Sequence, residues 1–163
     1  MDFRLVRATE DDLPFIMATE RLEGYGALVG RWEEPRHRAA FSDGSHAYFI
    51  GFDGATAIGF VMLRFWDSPE RITLVRRVAV TRPGEGHGRR LLAAVVERTF
   101  RDTCAYRLQI GLFPENLRAR SAYEAVGFVA EGISRGSAFF DGVFRDELVM
   151  SLLRPEWEAG RPG

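Results

Sequence analysis

Residues 78–92 have the sequence Val78-Ala79-Val80-Thr81-Arg82-Pro83-Gly84-Glu85-Gly86-His87-Gly88-Arg89-Arg90-Leu91-Leu92, and this stretch decides the fold. An apolar strand pattern leads into a turn with three glycines at alternate positions, and an amphipathic helix begins directly after the turn. Glycine has no Cβ, so backbone N–H groups can approach a ligand closely there. The first turn of a helix adds unpaired N–H groups and a partial positive charge. The stretch therefore predicts a strand–turn–helix unit that binds a phosphorylated ligand.

The hydrophobic periodicity around this stretch predicts alternating strands and helices. The predicted strands are 3–7, 46–52, 57–65, 71–80, 106–112 and a hairpin from Phe128 to Leu153 that turns at Asp141-Gly142. The predicted helices are 9–22, 33–41, 86–101 and 116–126. The element order is thus β-α-α-β-β-β-α-β-α-β-β, which is typical of a mixed sheet covered by helices. We expect a single domain over residues 1–163 and a loose tail after Pro155.

Composition limits the classes of function. The 163 residues are 46% apolar and 28% charged, as in ordinary soluble domains. A net charge of −1 gives no reason to expect a nucleic-acid partner. No apolar run approaches the roughly 18 residues that span a bilayer, and the N-terminus lacks the pattern of a signal peptide. We therefore expect a cytoplasmic protein with neither a nucleic-acid nor a membrane partner.

The basic residues and the cysteine exclude particular chemistries. All 22 Lys and Arg residues are arginine, so a Schiff-base lysine and a Walker-A phosphate loop are impossible. Cys104 is the only cysteine, which excludes an intramolecular disulfide and a cysteine-rich zinc site. We expect Cys104 to be a small buried hydrophobe, and we expect no metal site.

Two motifs carry a family resemblance. The strand Arg77–Val80 followed by Pro83-Gly84-Glu85-Gly86-His87-Gly88-Arg89 is similar to an R/Q-x-x-G-x-G/A loop that binds acyl-CoA, with Gly86 and Gly88 as the two family glycines. Pro83 replaces the family's Arg or Gln. The segment Asn116-Leu117-Arg118-Ala119, continuing to Tyr123-Glu124-Ala125-Val126-Gly127-Phe128, resembles an N-x-R-A…Y-E-x-x-G-F segment. Together they resemble the GNAT superfamily of acyl-CoA-dependent N-acyltransferases, particularly the branch of ribosomal-protein N-terminal acetyltransferases, over about residues 3–153.

The resemblance implies a fold, a co-substrate and a set of site residues. The fold would be α/β (α+β), with a mixed, mostly antiparallel central sheet of about seven strands flanked by about four helices. Acetyl-CoA would be the acyl donor, without a metal, and the amine would attack it directly in a ternary complex. Tyr123 would be the general acid that protonates the leaving thiolate. The implied cofactor-binding residues are Val78, Ala79, Val80, Gly84, Glu85, Gly86, His87, Gly88, Arg89 and Asn116.

The general base is not evident from the sequence. Relatives often carry a carboxylate on the strand equivalent to 71–80, which here contains no acid. The remaining candidates by chemistry are Glu115, His46, Glu70 and Asp67. At pH 7 about a tenth of an α-amine with pKa ~7.7–8.0 is unprotonated, against roughly one in a few thousand of a lysine side chain with pKa ~10.4. A site without a dedicated base thus favours an amine of low pKa.

The acceptor is expected on the side built by the first two helices and the hairpin strands. Candidate wall residues are Tyr25, Trp32, His37, Phe65 and Trp66, although His37, like His87, is expected at the surface. Residues 22–28 contain several glycine and small-residue hinge points and could form a lid.

Two other classes of function stay in view. A non-catalytic acyl-CoA-sensing module would keep the fold without a base. A dinucleotide-binding protein is disfavoured because Gly84, Gly86 and Gly88 do not fit G-x-G-x-x-G. The acceptor, the acyl-chain preference and the oligomeric state stay open, with a homodimer as one option because many relatives are dimers.

Overall fold

A seven-stranded sheet organises the chain in the computed structural model, which describes residues 2–23, 25 and 29–160. The strands are β1 (Phe3–Arg7), β2 (His46–Asp53), β3 (Thr56–Arg64), β4 (Ile72–Val80), β5 (Arg107–Leu112), β6 (Val129–Phe140) and β7 (Val143–Leu153). Their spatial order is β1-β2-β3-β4-β5-β7-β6. Neighbouring strands are antiparallel except β4 and β5, which are parallel. The expected mixed, mostly antiparallel sheet is confirmed.

The helices follow the predicted order, with one addition at the end. They are α1 (Leu13–Glu20, preceded by a 3-10 turn at Glu10–Asp12), α2 (Glu34–Ser42), α3 (His87–Asp102), α4 (Leu117–Val126) and α5 (Arg154–Ala159). The prediction of a loose tail after Pro155 was wrong for residues 156–160. The Glu156 side chain accepts a hydrogen bond from the Leu153 N–H at 2.8 Å, and the Trp157 ring stacks on Phe100 with centroids 5.2 Å apart. Capping and aromatic burial therefore order this segment.

The sheet buries one apolar cluster on each face. Strand alternation in β2 sends Phe49 into a cluster with α3, and Tyr48 and Ile50 into a cluster with α1. Gly51 on β2 and Gly59 on β3 permit close packing of α3, since a Cβ would lie 2.7 Å from Leu91 Cδ1 at the first position and 3.1 Å from Leu91 Cδ2 at the second. Helix α3 is thus held tightly against the sheet, directly after the glycine turn.

The central feature of the sheet is an incomplete junction between β4 and β5. The two strands pair only from Ile72 to Val75 and from Arg107 to Ile110. The next residue, Arg76, is a β-bulge, because Val75 faces Leu63 on β3 while Arg77 already faces Met62. A bulge bends its strand and increases the local twist. Beyond it β4 continues beside β3 without pairing with β5, and the sheet opens at this point.

Two expectations outside the core need comment. Cys104 is exposed rather than buried, because it lies in the connection between α3 and β5, where its N–H donates to the Asp67 carboxylate at 3.1 Å. Among the described residues, no helix is both long and apolar enough to cross a membrane.

Candidate active site

The opening between β4 and β5 leads into a cavity of about 840 Å³, which we call the glycine cleft. It is bounded by the end of β4, the turn before α3 and the first half of α4. Of the residues predicted to form the site, the structure brings eight together around this cleft: Val78, Val80, Gly84, Gly86, Gly88, Arg89, Asn116 and Tyr123. Ala79, Glu85 and His87 are not among the described residues that line it.

The backbone of β4 explains why Val78 and Val80 line the cleft and Ala79 does not. The Thr81 N–H donates to the Ile58 carbonyl on β3 at 3.0 Å, so odd-numbered residues at this end of β4 pair with β3. The N–H and C=O of Val80 point the other way, where the Tyr25 hydroxyl accepts from the N–H at 3.2 Å and donates to the C=O at 2.6 Å. By the same alternation, the peptide groups of Val78 face the cleft.

The glycine turn presents open space at the start of α3. Gly84 and Gly86 have φ values of +89° and +81°, which favour glycine. A Cβ at either position would meet no atom within 4 Å, and one at Gly88 would approach only Val80 Cγ1, at 4.0 Å. The described protein atoms therefore leave room at all three glycines, next to the N–H groups of the first helical turn. This fits an anionic group of a ligand.

Asn116 and Tyr123 reach the cleft from α4. The Asn116 side chain caps the helix by accepting from the Ala119 N–H at 3.2 Å, and Gly127 ends the helix with φ +115°. The Tyr123 ring lies 6.3 Å from the Phe128 ring. Burial and, to a smaller degree, the neighbouring Tyr25 raise the pKa of Tyr123 above its usual value. The phenol is thus protonated at neutral pH and can donate its proton.

The four candidate bases fall in different places. Glu115 lines the glycine cleft, where its carboxylate is paired with the Arg145 guanidinium. His46, Glu70 and Asp67 are not among the described residues that line this cleft or the cavity beside it.

A second cavity of about 560 Å³ adjoins the glycine cleft, and we call it the arginine cavity. The two share Gly30, Arg76, Arg77, Gly111 and Leu112 in their linings, so they meet at the β4 bulge. Side chains that line only the arginine cavity include Arg31, Trp32, Arg36, Phe113, Phe139, Phe140 and Glu147. The sequence showed no sign of this arrangement, because the bulge depends on the register between β3 and β4.

A buried polar network holds the wall between the two cavities in place. The Glu20 carboxylate is 1% exposed and accepts from the guanidinium of Arg77 at 2.7 Å and from the Trp32 N–H at 3.2 Å. It also lies 2.8 Å from Nε2 of His37, whose Nδ1 lies 2.8 Å from the Tyr48 hydroxyl. Burial opposes ionisation of Glu20, but the hydrogen bond with His37 and the charge of Arg77 together lower its pKa.

The acceptor-side predictions were partly wrong. His37 is fully buried rather than at the surface, because both of its ring nitrogens have buried partners. Trp32 lines the arginine cavity and Tyr25 the glycine cleft, whereas Phe65 and Trp66 are not among the described lining residues. Most of the predicted lid lies outside the described residues, namely Gly24 and residues 26–28.

Comparison with known sequences identifies relatives among acetyltransferases. The acetyltransferase (GNAT) family model matches residues 14–128. A probable N-acetyltransferase, YjcK of Bacillus subtilis (strain 168), is 32% identical over 75 residues, which cover 46% of this chain and 41% of that protein. The ribosomal protein uS5-alanine N-acetyltransferase of Escherichia coli (strain K12) is 28% identical over 78 residues, 48% and 40% of the two chains. The matches thus span about two fifths of these relatives.

Comparison with solved structures extends the likeness of fold to the whole chain. Spermidine N-acetyltransferase from Vibrio cholerae in complex with CoA and spermine has a TM-score of 0.82 and 21% identity, covering 96% of this chain and 98% of that one. A chimera of the same enzyme reaches a TM-score of 0.84 at 22% identity. With the family model matching most of the chain and the sheet opening where the two motifs meet, this protein belongs to the GNAT family of acetyltransferases.

Proposed function

We propose that this protein is an acyl-CoA-dependent N-acetyltransferase that transfers an acetyl group from acetyl-CoA to a primary amine. One observation carries the proposal. The backbone of Val78 and Val80 faces a cleft that β5 does not fill, and the glycine turn and the start of α3 lie at the end of the same cleft.

The glycine cleft offers a binding partner for each successive part of acetyl-CoA. The pantetheine arm carries amide groups, which would pair as an added strand does with the β4 edge at Val78 and, after displacing the Tyr25 hydroxyl, at Val80. The pyrophosphate would take the open space at Gly84, Gly86 and Gly88, next to the helix N-terminus. The Arg89 guanidinium adds charge-assisted contacts for phosphate. The other three predicted cofactor-binding residues are Ala79, Glu85 and His87. We propose that they contribute only to the shape of the strand and the turn.

The reaction would proceed by direct attack. The amine nitrogen adds to the thioester carbonyl, a backbone N–H of the β4 edge stabilises the oxyanion, and the C–S bond then breaks. Losing one oxyanion donor typically costs about 3 kcal/mol of transition-state stabilisation. Tyr123 gives its phenolic proton to the departing thiolate, and the amine loses a proton as the amide forms. The products are an N-acetyl amine and CoA.

Deprotonation of the amine is the step with the least help from the site. Of the four candidate bases, Glu115 lines the glycine cleft, but its carboxylate is held in an ion pair with Arg145, and the other carboxylate in the described lining, Glu23, is exposed. We therefore propose that the acceptor is an amine of low pKa, such as an α-amine, whose proton leaves through water.

The test combines calorimetry with turnover. CoA and acetyl-CoA are titrated into the protein, and free CoA formed with a panel of amines is then quantified by chromatography. Thiol reagents are unsuitable because the exposed Cys104 would react with them. Binding together with acetylation of at least one amine supports the proposal. No heat on addition of CoA overturns it, and binding without turnover of any amine favours the acyl-CoA-sensing alternative.

The cellular setting follows from the same proposal. A free, exposed Cys104 fits a reducing compartment, and we propose a cytoplasmic location. We also propose that residues 1–163 work as one domain, without a metal and without a nucleic-acid or membrane partner. A homodimer stays an option that sedimentation of the full chain at several concentrations decides.

A further inference from the structure

The arginine cavity carries an excess of positive charge. Its described lining contains four arginines, Arg31, Arg36, Arg76 and Arg77, and a single carboxylate, Glu147. Arg77 is neutralised by Glu20, outside the lining, at 2.7 Å. Arg31 forms an ion pair with Asp141 at 4.0 Å, and both side chains of this pair are exposed. Within the described part of the chain, no carboxylate oxygen lies within 4.0 Å of a side-chain nitrogen of Arg36 or Arg76.

Three of these four arginines, including the neutralised Arg77, are gathered around one aromatic ring. The guanidinium carbons of Arg36, Arg76 and Arg77 lie 4.0, 4.9 and 5.2 Å from the centre of the Trp32 ring. Cation–π attraction accounts for this clustering, but it removes none of the net charge. Burial and, after it, the charges of neighbouring arginines including Arg36 and Arg64 lower the pKa of Arg76. Glu147 opposes this lowering without reversing it. Positive charge thus outweighs negative charge beside Trp32, and an anion bound there would be stabilised.

The arginine cavity lies where the acceptor amine would be expected to bind. Arg76 and Arg77 line both the arginine cavity and the glycine cleft, at the bulge where β4 parts from β5. An amine that attacks a thioester held along the β4 edge would have its non-reacting part in the arginine cavity. The remaining walls there include Phe113, Phe139 and Phe140, which suit an apolar body.

We propose that the acceptor is a small amine that carries an anionic group, a carboxylate or a phosphate, on an apolar or short carbon frame. This inference rests on the proposed acetyltransferase function and names its substrate class. Arg36 and Arg76 bind this carboxylate or phosphate, since the guanidinium group matches the geometry of both. The spermidine named for the structural neighbours would bring several ammonium groups into the same cavity, and the arginines would repel them.

Matched acceptors test the charge directly. Phenylalanine is compared with phenylalaninamide, phosphoethanolamine with ethanolamine, and spermidine is added as the polycation. In the first pair the amide has the α-amine of lower pKa, so the amide would react faster if the carboxylate made no contribution. We expect the anionic member of at least one pair to have the higher kcat/KM, by about 10- to 100-fold, as for a charged hydrogen bond. The two pairs distinguish a carboxylate from a phosphate.

Arginine variants locate the effect. Arg76→Gln and Arg36→Gln should each reduce the preference for the anionic amine by about 10-fold, mainly through KM. Arg36 is exposed on α2, so its replacement does not threaten the fold. Arg101→Gln is the control, because Arg101 is exposed on α3 and is not among the lining residues of either cavity. This variant should keep the preference of the wild type.

The outcomes separate the two proposals. The inference is overturned, and the acetyltransferase function left standing, if the neutral amine of both pairs, or spermidine, is turned over at least as fast as the anionic amines. The inference also fails if both lining-arginine variants keep the wild-type ratio. Absence of turnover with every amine, despite bound CoA, overturns both proposals together.

Discussion

Replacing the buried carboxylate of Glu20 by an amide, Glu20→Gln, is expected to destabilise the protein strongly. The carboxylate accepts hydrogen bonds from Arg21, Arg77 and the Trp32 N–H and contacts His37, so it joins α1, β4 and the start of α2. Glutamine keeps the shape but carries no charge. The Arg77 side chain, 8% exposed, would then be a buried cation without its counter-ion.

The size of the effect follows from this burial. Removing one partner of a buried ion pair costs about 3–5 kcal/mol. For a chain of this length each kcal/mol lowers Tm by about 2–4 °C, so Tm should fall by roughly 6–20 °C. The matched control is Glu124→Gln, which removes the exposed pair with Arg120 on α4, where N and O are 2.8 Å apart. Such a pair contributes about 0.3–0.5 kcal/mol.

The assay is denaturant unfolding of both variants and the wild type across a pH series. The lowered pKa of Glu20 means that the folded protein binds this proton less readily than the unfolded chain, whose value is near 4.5. The stability that Glu20 contributes is thus complete above that value and is lost as pH falls through the lower folded pKa. The difference in the free energy of unfolding between wild type and Glu20→Gln should be constant above about pH 5.5 and should decrease below 4.5. A gap at pH 7 no larger than that of the control would refute the reasoning.

Three further predictions concern the glycine cleft. Gly88→Ala should weaken CoA binding by at least about 10-fold in calorimetry, because the new Cβ enters space proposed for the ligand. It should not lower Tm, because the nearest neighbour of that Cβ is Val80 Cγ1 at 4.0 Å and alanine favours the helix. Gly44→Ala, also in open space but outside the cleft, should change neither quantity. Tyr123→Phe should lower kcat by about 10²–10⁴-fold with CoA affinity within about twofold of wild type. Because its pKa is raised, wild-type kcat should show no loss traceable to this phenol below pH 10, and such a loss would contradict the assignment. Tyr25→Phe should tighten CoA binding, since the ligand no longer displaces a hydroxyl from Val80, and weaker binding would count against that arrangement.

The element order was predictable because its signals are local. Three of these signals are the apolar run of β2, the three glycines before α3 and the Asn116 cap, and each acts within a few residues of the chain. The family motifs add the approximate place of the cleft. What they do not give is the pairing of β4, since the bulge at Arg76 depends on the register with β3. That bulge decides which peptide groups face the ligand, and it removes Ala79 from the lining.

The errors share a physical origin in long-range contacts. His37 was assigned to the surface because a histidine on a short polar helix usually lies there, yet Glu20 and Tyr48 surround it. Glu20 and Arg77 are separated by 57 residues, so no local pattern reveals their pairing. The tail at α5 is ordered by the contact between Trp157 and Phe100, which is equally remote in sequence.

The short parallel junction of β4 and β5 bears on how this protein tolerates evolutionary change. Within the described ranges, no strand pairs with the cleft-facing main-chain groups of Val78, and every residue type except proline carries the same peptide groups. Binding of a ligand through these peptide groups would therefore not depend on which apolar side chain occupies the position. Substitutions along the strand can therefore accumulate without removing these peptide groups, and two chains that share about a fifth of their residues can keep the same fold.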